Sequence, residues 1–327
     1  MNRRDLILGG ATLAAASPIL APAARAAWQP TRPVELVAHN GPGSGPDVFA
    51  RAIVTTIEQE KLSPVRFQVS NRVGGGGATA MNYVVDKRGD PGVLSVWTSL
   101  WISLPLVQAE ARSTVADMTP VARLVIEPAM VVVRADSPFT TMKDLIEAAR
   151  QKPGTIRQSG GSVTARDNIV RQLLMAATGT RWAFISFPAG SERIAALLGG
   201  HVELMIAEPT EAGEQIRAGK LRALAQVGEK RLAAFPDVPT LREAGMPIAD
   251  VPQARGFVAP PGIPAEALAF YEDLFARLAV SPTWRKYVID NQFEEAHLNA
   301  SQTGAFFSEY QGRLRTILQE GGVKVVR

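Results

Sequence analysis

The chain has no cysteine, only three histidines, and aromatic residues at just 6% of its 327 positions. Without cysteine there are no disulfide staples, thiolate nucleophiles, cysteine-held zinc ions, iron–sulfur clusters or lipoprotein-type anchors. His39, His201 and His297 are scattered without metal-ligand partners at useful spacing, so they read as packing or surface residues and no metal site is expected. The glycine-rich stretches do not complete a nucleotide fingerprint. Residues 41–46 fall short of G-x-G-x-x-G, and residues 74–77 lack the Lys-Ser/Thr end of a phosphate loop. No G-x-S-x-G nucleophile elbow occurs either. No catalytic residue is assigned, no cofactor is expected, and the chain does not read as an enzyme. Heptads, 20–50-residue repeats and low-complexity tracts are missing too, which excludes coiled coils and solenoids.

What is present is a globular composition: 46% hydrophobic and 20% charged, with 28 Gly and 23 Pro. That supports a packed core in one long domain or two ordinary ones. The first 26 residues read as an export signal. Arg3 and Arg4 open it, an apolar stretch over 6–20 follows, and Ala24-Arg25-Ala26 has the form of a cleavage site. The apolar stretch is short for a membrane helix, which needs about 20 apolar residues. Its start is similar to a twin-arginine signal, and the expected destination is the periplasm, with cleavage near Ala26. Removing Arg3, Arg4, Arg25 and Asp5 leaves 32 basic and 30 acidic residues, a net charge of +2. So small and mixed a charge gives no nucleic-acid footprint.

Along the remaining chain one unit recurs four times: a short apolar strand, a glycine-rich turn and an amphipathic helix. The strands are expected at 34–38, 65–69, 155–158 and 182–187, and their turns at 41–46, 74–77, 159–162 and 188–191. Pro46 suits the first helical turn, where its missing N–H has no partner to lose. Strands alternating with helices imply parallel pairing, with ligands at the carboxyl ends of the strands. The fold class expected is α/β, a two-lobed Venus-flytrap with a mostly parallel sheet in each lobe. Apolar segments at 124–133 and 256–262 serve as crossovers, dividing the chain into 27–128 plus 256–327 for one lobe and 129–255 for the other. Leu268, Tyr271, Leu274, Phe275 and Leu278 mark a helical face in the returning part.

Six segments, in order, carry a family resemblance: Pro33-Val34-Glu35-Leu36-Val37, residues 42–51, Asn71-Arg72-Val73 with the four glycines after it, residues 197–203, residues 218–225 and residues 235–245. Together they resemble the solute-binding proteins of tripartite tricarboxylate transporters, the Bug family. The resemblance implies a periplasmic, two-lobed Venus-flytrap protein that traps a small organic carboxylate between its lobes and delivers it to membrane transporter subunits; a monomer is expected. Helix starts suit that task, because each exposes unpaired N–H groups and about half a positive charge. The ligand-binding candidates are the amides and hydroxyls of Gly43, Ser44, Gly45, Gly75, Gly76, Ser159, Gly161, Ser162, Ala189 and Gly190, with Thr98 and Ser99 adding hydroxyls.

Other residues near these loops have structural readings. Asp47 is expected to serve its helix start, Asn71 and Arg72 the glycine loop, Trp101 the core and Glu203 its turn. Where the family carries other residues, this chain has His39-Asn40, Arg166-Asp167 and Phe187-Pro188-Ala189. Glu208 and Glu211 follow a strand. A Glu208 facing the cleft disfavours a second ligand carboxylate and favours an amine or hydroxyl. A mono- or dicarboxylate, aromatic ones included, is therefore expected over a tricarboxylate. A ligand-loaded sensor acting on a membrane partner is the alternative role.

Overall fold

The computed structural model describes residues 28–109, 111–161, 165–187, 190–248, 251–320 and 324–327. The expected export segment lies outside them, as do Ser162 and Ala189.

Aliphatic runs become strands, and each ends where glycine, proline or a small polar residue interrupts it. The first unit is β1 (Val34–Ala38) followed by α1 (Gly45–Gln59), and the second is β2 (Phe67–Asn71) followed by α2 (Ala78–Asp86). Next come β3 (Val93–Thr98), α3 (Leu100–Val107) and two long strands, β4 (Thr119–Glu127) and β5 (Ala129–Arg134). After α4 (Met142–Gln151), whose start is closed by the Thr141–Asp144 capping box, the units repeat. They are β6 (Arg157–Gly160) with α5 (Arg166–Thr178), β7 (Ala183–Ser186) with α6 (Gly190–Leu198), and β8 (Leu204–Ala207) with α7 (Pro209–Arg217). The chain closes with β9 (Leu221–Val227), β10 (Gln253–Ala259), α8 (Ala265–Val280), α9 (Pro282–Asp290), β11 (Glu294–Leu298) and α10 (Ala300–Glu320).

Two sheets result, ordered β11-β4-β10-β3-β1-β2 and β7-β6-β8-β5-β9. The parallel pairs are β1 with β2 and β3, and β6 with β7 and β8. The long strands that flank the crossings pair antiparallel, so both sheets are mixed and the parallel character is confined to the loop-bearing strands. Pro128 alone separates β4 in the first sheet from β5 in the second. It has no N–H to give a ladder, so the apolar run at 124–133 divides there. The return differs from the reading at 256–262: β10 already belongs to the first sheet from Gln253 onward.

One face of the first sheet packs on α1, α8 and α9 through rings, with Phe257 stacked on Phe275 at 4.6 Å and Trp284 edge-on to Phe49 at 5.7 Å. Each such buried side chain contributes about 1.5–3 kcal/mol of transfer free energy. The opposite face runs through Trp97, Trp101 and Phe307 into the second sheet's Val131 and Val133, one continuous core under both lobes. No helix among the described residues is long and apolar enough to cross a membrane.

Candidate functional site

At the start of α1, Ser44 is extended and Pro46 lies in the first turn, so the helix exposes its amides where the sequence placed a loop. Asp47 answers them from inside. Its buried carboxylate accepts the Gly43 N–H at 2.9 Å, the Arg51 Nε–H at 2.9 Å and an Asn71 Nδ2–H at 3.0 Å. Hydrogen bonds from Arg51 hold its carboxyl down to about 2 against burial. Asp47 thus has the structural role expected of it, and Gly43 spends its amide on the chain's own carboxylate. The Ser44 N–H donates to the Gly41 carbonyl, and Gly45 lies against the Arg255 guanidinium, 2.9 Å from where its Cβ would stand.

The second loop needs glycine for a backbone reason. Gly74 to Gly77 have φ of +139°, +57°, +65° and +107°, a run that L side chains avoid. Gly75–Gly77 form a single 3-10 turn there, and Gly77 leaves no room for a Cβ beside the Trp101 indole. Trp101 is fully buried with His39 tilted against it, and burial pushes the His39 imidazole down to about 4. Thr98 ends β3. Ser99 donates its hydroxyl to the Pro252 carbonyl at 2.8 Å and accepts the Ala254 N–H at 2.9 Å.

In the second lobe the same device recurs. The Asp167 carboxylate, in the first turn of α5, accepts the Gly161 N–H at 2.7 Å. Ser159 differs from the reading that put it in a loop: it is the third residue of β6, paired with β7 and β8, with its hydroxyl buried. Gly160 ends that strand, and a Cβ there would run into the Phe184 ring. Gly190 opens α6 against the Glu211 carboxylate.

A cavity of about 390 Å³ opens between these elements. Of the candidates, Ser99, Gly161 and Gly190 line it, while Gly43, Ser44, Gly45, Gly75, Gly76, Thr98 and Ser159 are not on its walls. Its charged wall is Arg166, Asp167, Arg193 and Glu208. Arg166 donates to Glu208 at 2.7 Å and to the carbonyls of Glu127 and Pro128, the junction between the sheets. Arg193 pairs with Asp167 at 3.4 Å and with Glu211. The spacing of Glu208 and Glu211 after a strand, and the Arg166-Asp167 pair, had marked part of this wall in the sequence. Nothing marked Arg193, one turn into α6.

Burial opposes the charge on Glu208, yet Arg166 and its other partners hold that carboxyl down to about 2. Burial, then the Glu208 charge beside it, pushes Glu211 up to about 9. Burial also raises Asp167. Glu211's folded value lies above its free value of 4.5, so its stabilising contribution is complete below that pH and is lost as pH climbs toward 9. Glu211→Gln keeps the neutral form, and its melting temperature is expected to fall less than that of the parent between about pH 6 and 9. Parallel melting curves for the two proteins would show that Glu211 is ionised in the fold.

The model of the tripartite tricarboxylate transporter family receptor matches residues 50–323. The chain belongs to this receptor family. A Cupriavidus necator protein from the gbd 5′ region is 29% identical over 99% of both chains. The TctC solute-binding protein from Polaromonas, solved without ligand, superposes with a TM-score of 0.76 at 25% identity, over 89% of this chain and 99% of its own. An R. palustris protein solved with adipate superposes at 0.80 with 24% identity, over 90% of this chain and 99% of its own. Family proteins are periplasmic solute-binding proteins with this two-lobed fold, as the six segments had implied. The match begins after the first glycine loop, so the receptor family is carried mainly by the chain beyond α1's first turn.

Proposed function

We propose that the chain is a periplasmic receptor that closes its lobes around a small organic carboxylate and delivers it to membrane transporter subunits. The observation that carries this is the cavity itself: about 390 Å³, set at the carboxyl ends of β3, β6 and β8, with Arg166 buried and Arg193 partly buried in its wall. Its size suits one small solute, and its place is that of ligands in α/β sheets. Membership of the receptor family and the adipate in a protein of the same fold support the same class of ligand. Arg166 and Arg193 are the cationic candidates in the wall; of the candidates from the sequence, Gly190 also lines it, while Ser99 and Gly161 line it with their donors already given to Pro252 and Asp167.

Isothermal titration against mono-, di- and tricarboxylates tests the reading. Saturable one-to-one binding of at least one mono- or dicarboxylate is expected, with tricarboxylates weaker because Glu208 and Asp167 share the wall. Absence of heat with every acid refutes capture.

A further inference from the structure

Resting on that reading, a finer ligand class follows from which groups of the cavity wall are already engaged. On the side of the first sheet the wall is Ser99, Leu100, Ser103, Gln253 and Tyr310, and none of these side chains carries a charge at neutral pH. Any charge a solute meets in the wall therefore comes from Arg166, Asp167, Arg193 and Glu208. Arg166 is fully engaged. Its two terminal nitrogens donate to the Glu127 and Pro128 carbonyls and to Glu208 at 2.7 Å, and Glu208 answers its charge. Arg193 is answered less well. Its Asp167 partner stands 3.4 Å away and is itself held by the Gly161 and Asn168 N–H groups at 2.7 and 2.8 Å. Its other partner, Glu211, is kept neutral by burial and by the Glu208 charge, so it returns no charge to the arginine. The wall has a place for one anionic group, at Arg193.

Much of the remaining wall is apolar. Leu100 lines it from the first-sheet side, and Ile169, Phe187 and Ile206 line it from the second. A cavity of about 390 Å³ is larger than a two-carbon acid fills, so covering these side chains takes a body of several apolar carbons. A diacid of matching length would set its second carboxylate beside Glu208 or against aliphatic groups. Either position desolvates a charge without supplying a cation to meet it. A neutral group in place of Glu208 would release Arg166 and open such a position, which makes Glu208 the residue that refuses the second carboxylate.

We infer that the solute is a monocarboxylate with an apolar body, its carboxylate on Arg193 and its carbon skeleton against Ile169, Phe187 and Ile206. The experiment is calorimetric titration of the purified chain with matched pairs: hexanoate against adipate, octanoate against octanedioate, and benzoate against benzene-1,4-dicarboxylate. The best-fitting monoacid is expected to bind about tenfold or more tighter than its diacid. Along the alkanoates, affinity is expected to rise about threefold per methylene until the cavity is full. Glu208→Gln is expected to strengthen the diacid about tenfold by freeing Arg166, and to change the monoacid by less than about threefold. Arg193→Met is expected to weaken the best monoacid about thirtyfold or more. Phe187→Ala leaves every charge in place and is expected to weaken it about tenfold, while butanoate changes by less than about threefold. A general loosening of the fold would weaken both acids alike. A diacid that binds the parent as tightly as its monoacid overturns the inference and leaves carboxylate capture standing. So does a chain that takes up hydroxy or amino acids but none of these monoacids, or a Phe187→Ala variant with unchanged affinity for the best one. A chain that binds no organic acid at all overturns capture as well.

Discussion

Gly256→Ala is expected to destabilise the protein by about 3 kcal/mol, although it adds one methyl group. Gly256 lies in β10, between β3 and β4, at a bulge where the register shifts after Arg255. A Cβ there would stand 2.0 Å from the Ala122 carbonyl oxygen and 2.8 Å from Arg123 Cα. These are backbone atoms of a central strand, so neither can swing aside as a side-chain end could. The Ala122 carbonyl also accepts the buried Trp97 indole N–H at 3.2 Å, a bond that any retreat would break. Gly312→Ala makes the matched control. It sits within α10 with open space around its Cβ position, and the change should stabilise by about 0.5–1 kcal/mol. Urea midpoints of the two variants check the pair; a Gly256→Ala midpoint near the parent's would mean that β10 can move away from β4.

Arg166→Leu is the second large effect, expected to cost about 3 kcal/mol. The arginine side chain is 7% exposed and its Glu208 partner 21%, so this pair is shielded from water as surface pairs are not. Removing the cation leaves Glu208 charged in a poorly solvated wall and strips donors from the Glu127 and Pro128 carbonyls. Leaving a buried charge uncompensated is worse than removing both partners. Adding Glu208→Gln to Arg166→Leu should therefore recover much of the loss. If the double variant melts no higher than the single one, the charge pair is irrelevant and the loss belongs to the carbonyls at the junction.

Much of the fold was legible because short-range signals agree with it. The strand–glycine–helix units at β1, β2, β6 and β7 follow from aliphatic runs ended by residues that permit tight turns. Asp47 was legible as a helix-start residue for the same local reason. Boundaries failed where the deciding contact is distant: Ser159 and Gly160 look like loop in sequence, yet pairing with β7 and β8 draws them into a strand. Part of the cavity's charged wall was marked in sequence by Glu208 and the Arg166-Asp167 pair, while Gly43, Gly45, Gly75 and Gly76 stand off that wall. Gly43 and Gly161 were read as open donors, and the carboxylates that take their amides come from the helices that follow.

The sequence by itself determined the class of molecule: local propensity sets the α/β units, the lack of cysteine removes disulfide, thiolate and cysteine-held metal chemistry, and six ordered segments mark the receptor family. Only the tertiary structure decided which groups meet in the cleft. Arg166, Arg193 and Glu211 come from three helices and Glu208 from the cap of the last, and their pairing depends on how β6, β7 and β8 align in one sheet. Charge balance in a buried wall is a property of three-dimensional proximity, because Coulomb energy falls with distance through space and not along the chain.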